Sequence, residues 1–225
     1  DVMHIYFYGA GCASPQLCRQ VAGMLAPVFP AAHAEVASDM LGAARAVHQH
    51  SLGVASILGT GSNSCWYDGK HIADQVPALG YILGDEGSGA VLGRTVLNRY
   101  FKRDMPEHLR VKFEGSYPHS LQDVLPNVYR SQAPSRYLAR FSRFVADNLA
   151  EPYLKKLASD VFHEFFLRNI AQYPRAAERP LGFVGSVAWY YRPVIAEVAE
   201  KMGYAVGTVL QAPVESLARY HTNNY

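Results

Sequence analysis

A chain of 225 residues with 21 basic and 19 acidic side chains, a formal net charge of +2, lacks the dense positive charge by which proteins hold nucleic acid or acidic membranes. No apolar run approaches the roughly 20 residues of a membrane-crossing helix and no charged-then-apolar leader opens the sequence, so a cytoplasmic protein with a large core is expected. The three cysteines, Cys12, Cys18 and Cys65, are odd in number and lack a Cys-x-x-Cys spacing, which argues for reduced thiols over a disulfide framework.

The run 2–8 is β-branched and aromatic and breaks at Gly9-Ala10-Gly11, which predicts a buried strand. Pro15 then opens a helix with Leu17, Val21 and Val28 on one face, closed by Pro27 and Pro30. A brief strand over 34–37 leads through Ser38-Asp39 into an alanine-rich helix over 40–48. Strand, helix, strand, helix argues a parallel α/β layer.

Beyond Gly53 the pattern changes to a strand (54–58), a turn, a strand (64–67), the Asp68-Gly69 hairpin signal and a third strand (70–76), an antiparallel meander beside the first layer. A glycine-rich segment over 80–93 precedes a helix over 90–103, and the sequence stays helical to 173. There Leu154, Leu157, Val161, Phe165 and Ile170 recur at helical spacing. This block reads as a helical insertion packed on the sheet. A strand over 181–184 runs into Gly185-Ser186 and a helix to about 202. A last strand covers 204–210, and Pro213 starts a short terminal helix ending near Tyr220. One lobe boundary suggests itself at Ser51-Leu52-Gly53.

The stretch with most chemistry is Leu58-Gly59-Thr60-Gly61-Ser62-Asn63. Its glycines open backbone angles closed to other residues, so successive N–H groups can converge on an anion with the Thr60 and Ser62 hydroxyls beside them; an ordinary hairpin turn uses the same residues. Asp39 stands at a strand-to-helix junction, where α/β sheets present residues to ligands, and where Asp also serves simply as a helix cap. Asp85 and Glu86 lie between Gly84 and Gly87, two carboxylates on a backbone that a ligand can approach closely. Gly185-Ser186 ends a strand and opens a helix, which suits backbone contact with a phosphate or flat ring, or an ordinary turn. No Gly-x-x-x-x-Gly-Lys-Ser/Thr and no Gly-x-Gly-x-x-Gly occurs, so neither a P-loop enzyme nor a dinucleotide dehydrogenase is indicated. His163-Glu164 lacks the second histidine of a zinc helix, and no metal-ligating residue is assigned.

Together, Ser38-Asp39-Met40-Leu41-Gly42-Ala43, the Gly59–Asn63 turn and Leu83-Gly84-Asp85-Glu86-Gly87-Ser88-Gly89 resemble the N-acetylglucosamine kinase and BadF/BadG-type ATPase family. The resemblance implies the two-lobed, actin-like (RNase H-like) α/β fold, with 1–51 the remainder of the first lobe and 52–225 the second. The helical insertion over about 90–173 belongs to the second lobe, and the last helix returns toward the first. It implies ATP-dependent phosphorylation of the primary hydroxyl of N-acetylglucosamine or a related amino sugar, with ATP and Mg²⁺. Asp39 matches the catalytic carboxylate. Thr60, Gly61 and Ser62 match a phosphate loop, while Asn63, Gly80 and Asp85 fall in sugar-contacting segments, with Glu86 beside them. Gly185 and Ser186 fall where adenosine lies. Pairing of such kinases through a lobe suggests a homodimer by analogy.

Three departures stand out. The family's first phosphate loop, Asp-x-Gly-x-Thr, is absent and the chain opens at the equivalent of a later strand, so the first lobe is expected to be incomplete and these residues alone to bind ATP poorly. Leu79-Gly80-Tyr81 lacks the aromatic residue that animal members carry before the glycine. Ser216 stands where glycine is more usual. Two other functions remain in view: an ATPase activating a 2-hydroxyacyl-CoA dehydratase or benzoyl-CoA reductase through a shared iron–sulfur cluster, which needs thiolates facing a partner, and a sugar- or ATP-binding regulator without transfer.

Overall fold

The computed structural model describes residues 2–117 and 120–222. The first elements are β1 (His4–Gly9), α1 (Pro15–Leu25), β2 (His33–Ser38) and α2 (Asp39–His48), followed by β3 (Gly53–Leu58), β4 (Ser62–Tyr67) and β5 (Ile72–Asp74). A helical stretch comprises α3 (Gly80–Leu83), α4 (Gly89–Phe101), α5 (Glu107–Ser116), α6 (Leu121–Tyr129), α7 (Pro134–Ala139), α8 (Ser142–Ala146) and α9 (Pro152–Arg168). The chain closes with β6 (Leu181–Val184), α10 (Ser186–Tyr190), α11 (Arg192–Lys201), β7 (Val206–Leu210) and α12 (Val214–Thr222).

The fold is α/β with a mixed sheet in the order β5-β4-β3-β6-β7 and a separate parallel pair β1-β2. Strands β3, β6 and β7 run parallel, and β4 and β5 continue antiparallel from β3. The chain-order reading holds, with small shifts at several ends and the helix expected from 186 to about 202 divided at Tyr191 into α10 and α11. β4 starts at Ser62 because Ser62 pairs with Leu58, which shortens the turn to Gly59-Thr60-Gly61. β5 is trimmed because the Asp68 carboxylate accepts the Lys70 and His71 N–H groups at 2.8 and 2.7 Å, holding them in the turn. β7 starts late because Tyr204 N–H returns to the Ala199 carbonyl at 2.9 Å, closing the end of α11. The strand expected to be buried, β1, is only half-buried, since β2 is its sole partner among the described residues. The apolar face of α1 likewise contributes no buried residue.

Each face of the sheet carries its own core. On one side Phe113, Phe141, Phe162, Phe165 and Phe166 from the helical stretch close over Leu58 and Phe183. On the other, α2 lays Met40, Ala43, Ala44 and Val47 on Ala55, Cys65, Tyr67 and Val184, and its small residues let the helix backbone come close to the sheet. Gly182 marks the contact, since a Cβ there would fall 2.3 Å from Val47 Cγ2.

The direction of α2 fixes the position of Asp39. The helix's last residue, His48, donates from Nε2 to the Val54 carbonyl at 2.9 Å, so α2 ends over the beginning of β3 and runs antiparallel to it. Asp39, at the other end of α2, therefore lies on the side where the parallel strands finish. Burial pushes the His48 imidazole below its usual range, with the bond to Val54 opposing.

The terminal helix rests on this layer. Ser216 is buried and donates to the Ala46 carbonyl at 2.7 Å, and His221 Nε2 meets the Tyr8 hydroxyl at 2.8 Å. Arg45 ties the same corner together through Glu35 and Tyr8, each at 2.7 Å.

Two glycines separate close packing from helix propensity. A Cβ on Gly93 would sit 1.8 Å from the Leu138 carbonyl oxygen, whereas Gly115 has nothing within 4 Å. Gly93→Ala is expected to cost about 2 kcal/mol or more in urea unfolding by forcing α4 and α7 apart. Gly115→Ala is expected to be neutral or to gain up to about 1 kcal/mol. Equal effects at the two positions would contradict this packing.

Candidate active site at the ends of the parallel strands

The site is built around the three-residue turn between β3 and β4. Gly59 N–H donates to the Gly61 carbonyl at 3.0 Å and closes the turn on itself. The two outward carbonyls are taken by the first residues of α4: Gly89 N–H donates to Gly59 O at 2.8 Å and Ala90 N–H to Thr60 O at 3.1 Å. A helix start leaves such donors unsatisfied, and here the turn satisfies them. Ser88 completes the junction by capping α4, its hydroxyl accepting the Val91 N–H at 3.2 Å.

With its carbonyls held, the turn presents its N–H groups. Those of Thr60 and Gly61 have no partner among the described residues, and Thr60 is exposed. Ser62 differs from its two neighbours, because it belongs to β4, is buried, and its N–H donates to Asp85 Oδ1 at 3.2 Å. Of the three residues read as a phosphate loop, Thr60 and Gly61 thus keep open N–H donors, and only the hydroxyl of Ser62 remains uncommitted.

Asp85 lies directly behind the turn. Its backbone is left-handed, φ +56°, a conformation that costs most side chains energy but that Asp tolerates. A Cβ on Gly61 would come within 2.9 Å of Asp85 Oδ2, so any other residue there would push the carboxylate away from the turn. Burial pushes the Asp85 carboxyl above the usual carboxylate range; the Ser62 N–H opposes this and the Glu86 charge adds to it.

Asp39 has a different setting. It is the first residue of α2, but Ser38 is the cap, its hydroxyl accepting the Leu41 N–H at 3.2 Å. The capping role that the sequence allowed for Asp39 is therefore filled by its neighbour. The Asp39 carboxylate is half-buried, accepts no hydrogen bond among the described residues, and sits in the favourable field of a helix N-terminus.

The remaining predicted residues divide. Gly185, at φ +122°, brings the end of β6 against the end of β3, where a Cβ would fall 2.3 Å from the Leu58 carbonyl oxygen. Ser186 beside it is exposed and borders a cavity of about 240 Å³ with Arg143, Asp147 and Tyr190. Asn63 spends its side-chain oxygen on Ser64 N–H and Gln75 Nε2 at 2.9 and 3.0 Å, leaving its amide group open. Gly80 begins α3 at φ +71° with open space around it. Glu86 turns away from Asp85: it meets Asn169 Nδ2 at 3.4 Å and faces a cavity of about 570 Å³ between α4 and α9, lined by Arg94, Lys156 and Glu164. That larger cavity contains neither Asp39 nor the turn. The bracing by Gly89 and Ala90 was not read from sequence, although Ser88, a strong cap residue at a glycine step, was its available signal.

Among the described residues no cluster of three metal-ligating side chains occurs, and no helix is long and apolar enough to cross a membrane.

What fold and site define is an α/β protein with a braced glycine turn at the end of β3, Asp85 directly behind that turn and Asp39 at the start of α2. No family model matches the chain, and no curated protein matches it. Among solved structures, a Porphyromonas gingivalis protein described provisionally as an N-acetylglucosamine kinase is 47% identical, with a TM-score of 0.94 over 98% of this chain and 78% of that one. A Chromobacterium violaceum protein described in the same terms is 20% identical and matches in fold, with a TM-score of 0.67 over 90% of this chain and 71% of that one. The chain belongs to the N-acetylglucosamine-kinase-like family.

The Asp85 setting makes a pH prediction. A carboxyl whose folded pKa is raised binds its proton more tightly folded than unfolded, so stability is lost as pH rises through the folded value. Asp85→Asn keeps an acceptor for the Ser62 N–H without the charge. The variant is expected to match the parent at the acid end, below the ordinary carboxylate range, and to gain stability over it as pH rises to neutral, read by urea unfolding across pH. A constant difference across that range would contradict the buried-charge reading.

Proposed function

We propose that this protein is a sugar kinase that transfers the terminal phosphoryl group of ATP to the primary hydroxyl of N-acetylglucosamine or a related amino sugar. The observation that carries the reading is the Asp39 carboxylate. Relieved of capping by Ser38, it lies on the side of the sheet where a turn with two unpartnered N–H groups ends the neighbouring strand, in a chain 47% identical to a provisional kinase of that specificity. With the reading comes a two-lobed actin-like arrangement, 1–51 in the first lobe and 52–225 in the second.

Phosphoryl transfer asks a protein for position and charge stabilisation rather than covalent help. Asp39, whose carboxylate has no hydrogen-bond donor committed to it among the described residues, takes the proton from the sugar hydroxyl as its oxygen attacks. Thr60 and Gly61 offer N–H groups to phosphate oxygens, with the Thr60 and Ser62 hydroxyls as further donors. Asp85, buried and with a raised pKa, is suited to hydrogen-bonding sugar hydroxyls, and Asn63 offers its amide group. Gly80 gives backbone access to the same ligand and Glu86 lies one residue further. Gly185 and Ser186 border the place for the nucleoside. These unpartnered donors fit a polyphosphate, and Mg²⁺, which ordinarily keeps several waters and one or two carboxylates beside the phosphates, needs no protein cage. When bound, ATP supplies the phosphoryl group and Mg²⁺ neutralises its charge.

Nothing in the site favours the activator reading. A shared iron–sulfur cluster needs several accessible thiolates, whereas Cys65 is sealed in the sheet with its thiol pushed up to about 12 by burial, Cys12 is buried, and Cys18 alone is partly exposed.

The test is ATP-dependent phosphorylation of N-acetylglucosamine, glucosamine, N-acetylmannosamine and glucose by the protein at its full encoded length, as parent and as Asp39→Asn. One sugar is expected to turn over, with kcat reduced by about 10²–10⁴ in Asp39→Asn and sugar affinity retained. A parent that binds ATP but phosphorylates none of the four, or an Asp39→Asn form as fast as the parent, would overturn the proposal.

A further inference from the structure

The connection between β1 and α1 holds chemistry that phosphoryl transfer does not use. Cys12 lies in this loop, its side chain buried and its N–H bonded to the Gly9 carbonyl at 3.0 Å. Cys18 sits one turn into α1, its N–H on the Ser14 carbonyl at 3.0 Å, because Ser14 caps that helix and Pro15 opens it. The Cys18 thiol reaches back across the helix start and donates to the Cys12 carbonyl at 3.6 Å, which brings the two cysteines together. Both are free thiols. The Cys12 sulfur would lie 3.4 Å from a Cβ on Gly9, whose strand partner is Ser38, the residue before Asp39, so the loop lies near the start of α2 and the proposed catalytic base.

We propose that Cys12 and Cys18 form a redox-active dithiol that closes to an intramolecular disulfide, pinning the β1–α1 loop to α1 beside Asp39. Partly exposed Cys18 is the entering group. Its thiolate attacks one sulfur of a small disulfide such as oxidised glutathione; the reagent's S–S bond breaks, a mixed disulfide forms on Cys18 and one glutathione thiolate leaves. The Cys12 sulfur then attacks the Cys18 sulfur and expels the second glutathione thiolate. The protons lost by the two cysteines end on the two leaving thiolates, so two electrons pass from protein to reagent. Burial and the neighbouring Cys18 push the Cys12 thiol up, which makes it a poor partner for outside reagents and leaves it to react with the sulfur delivered next to it. The loop has room to adjust, since Gly11 has nothing within 4 Å of where a Cβ would stand. Cys65, fully buried in β4, is the internal control.

Any effect on catalysis rests on the kinase reading; the disulfide does not. The test equilibrates the whole chain with glutathione buffers of increasing oxidation, traps free thiols by alkylation and weighs both protein and tryptic peptides. Cys12 and Cys18 share the peptide that ends at Arg19. The expected result is a loss of about 2 Da confined to that peptide, reversed by dithiothreitol and absent from Cys18→Ser. Three alkylatable thiols in the oxidised parent, a reaction that stops at a mixed disulfide on Cys18, or the same mass loss in Cys18→Ser would each overturn the proposal. If Cys18→Ser does not fold, the parent's peptide map decides alone. Sugar phosphorylation in the same samples separates the two readings, because a reduced parent that turns over no sugar contradicts the kinase and leaves the mass result standing.

Discussion

The site depends on two hydrogen bonds to carbonyl oxygens, Gly89 N–H to Gly59 and Ala90 N–H to Thr60. A helix start is itself a ready anion site, because its first N–H groups are unpaired and its dipole is positive there. In this chain those donors are spent on the turn, so the anion-binding capacity moves outward to the N–H groups of Thr60 and Gly61. The positive end of α4 still lies behind them. A three-residue turn rich in glycine would otherwise sample many conformations; fixed at both carbonyls and closed by Gly59 N–H to Gly61 O, it presents one.

The two carboxylates are kept apart by environment. Asp39 stands half-buried at the start of a helix with its cap supplied by Ser38, and its carboxylate accepts no hydrogen bond among the described residues. Asp85 is buried behind Gly61 and holds its proton more tightly than usual. On the kinase reading the first is suited to accept a proton and the second to hold hydroxyls in place, a division set by burial rather than by residue type. The left-handed backbone is one that Asp tolerates better than most residues, so the cost at this position lies chiefly in burying the carboxylate.

Much of this was legible in the sequence. Periodicity placed the strands and helices in order, because the cores on both sheet faces are built from the same apolar repeats that mark the elements. The breaks within the helical block went unread, although Pro134 and Pro152 stand in the first turns of α7 and α9, where proline is favoured. What failed to show were features decided by partners distant in the chain. Ser62 reads as a turn residue but enters β4 once Leu58 pairs with it. Ser38 and Asp39 are both good caps, and only the register of α2 selects the serine. Asp85 and Glu86 are adjacent in sequence, yet the left-handed backbone at Asp85 sends their side chains to different places, one behind the turn and one into the cavity between α4 and α9.

The most direct measurement follows the backbone amides of the turn by ¹⁵N–¹H correlation spectra while ATP and Mg²⁺ are added. If the turn holds the phosphates as its bracing implies, the Thr60 and Gly61 amides shift most, and those of Gly89, Ala90 and Ser62 keep the positions set by Gly59, Thr60 and Asp85. Shifts concentrated at Gly89 and Ala90, with Thr60 and Gly61 unmoved, would mean that the helix start binds the anion and the bracing gives way. The turn would then not be the phosphate site.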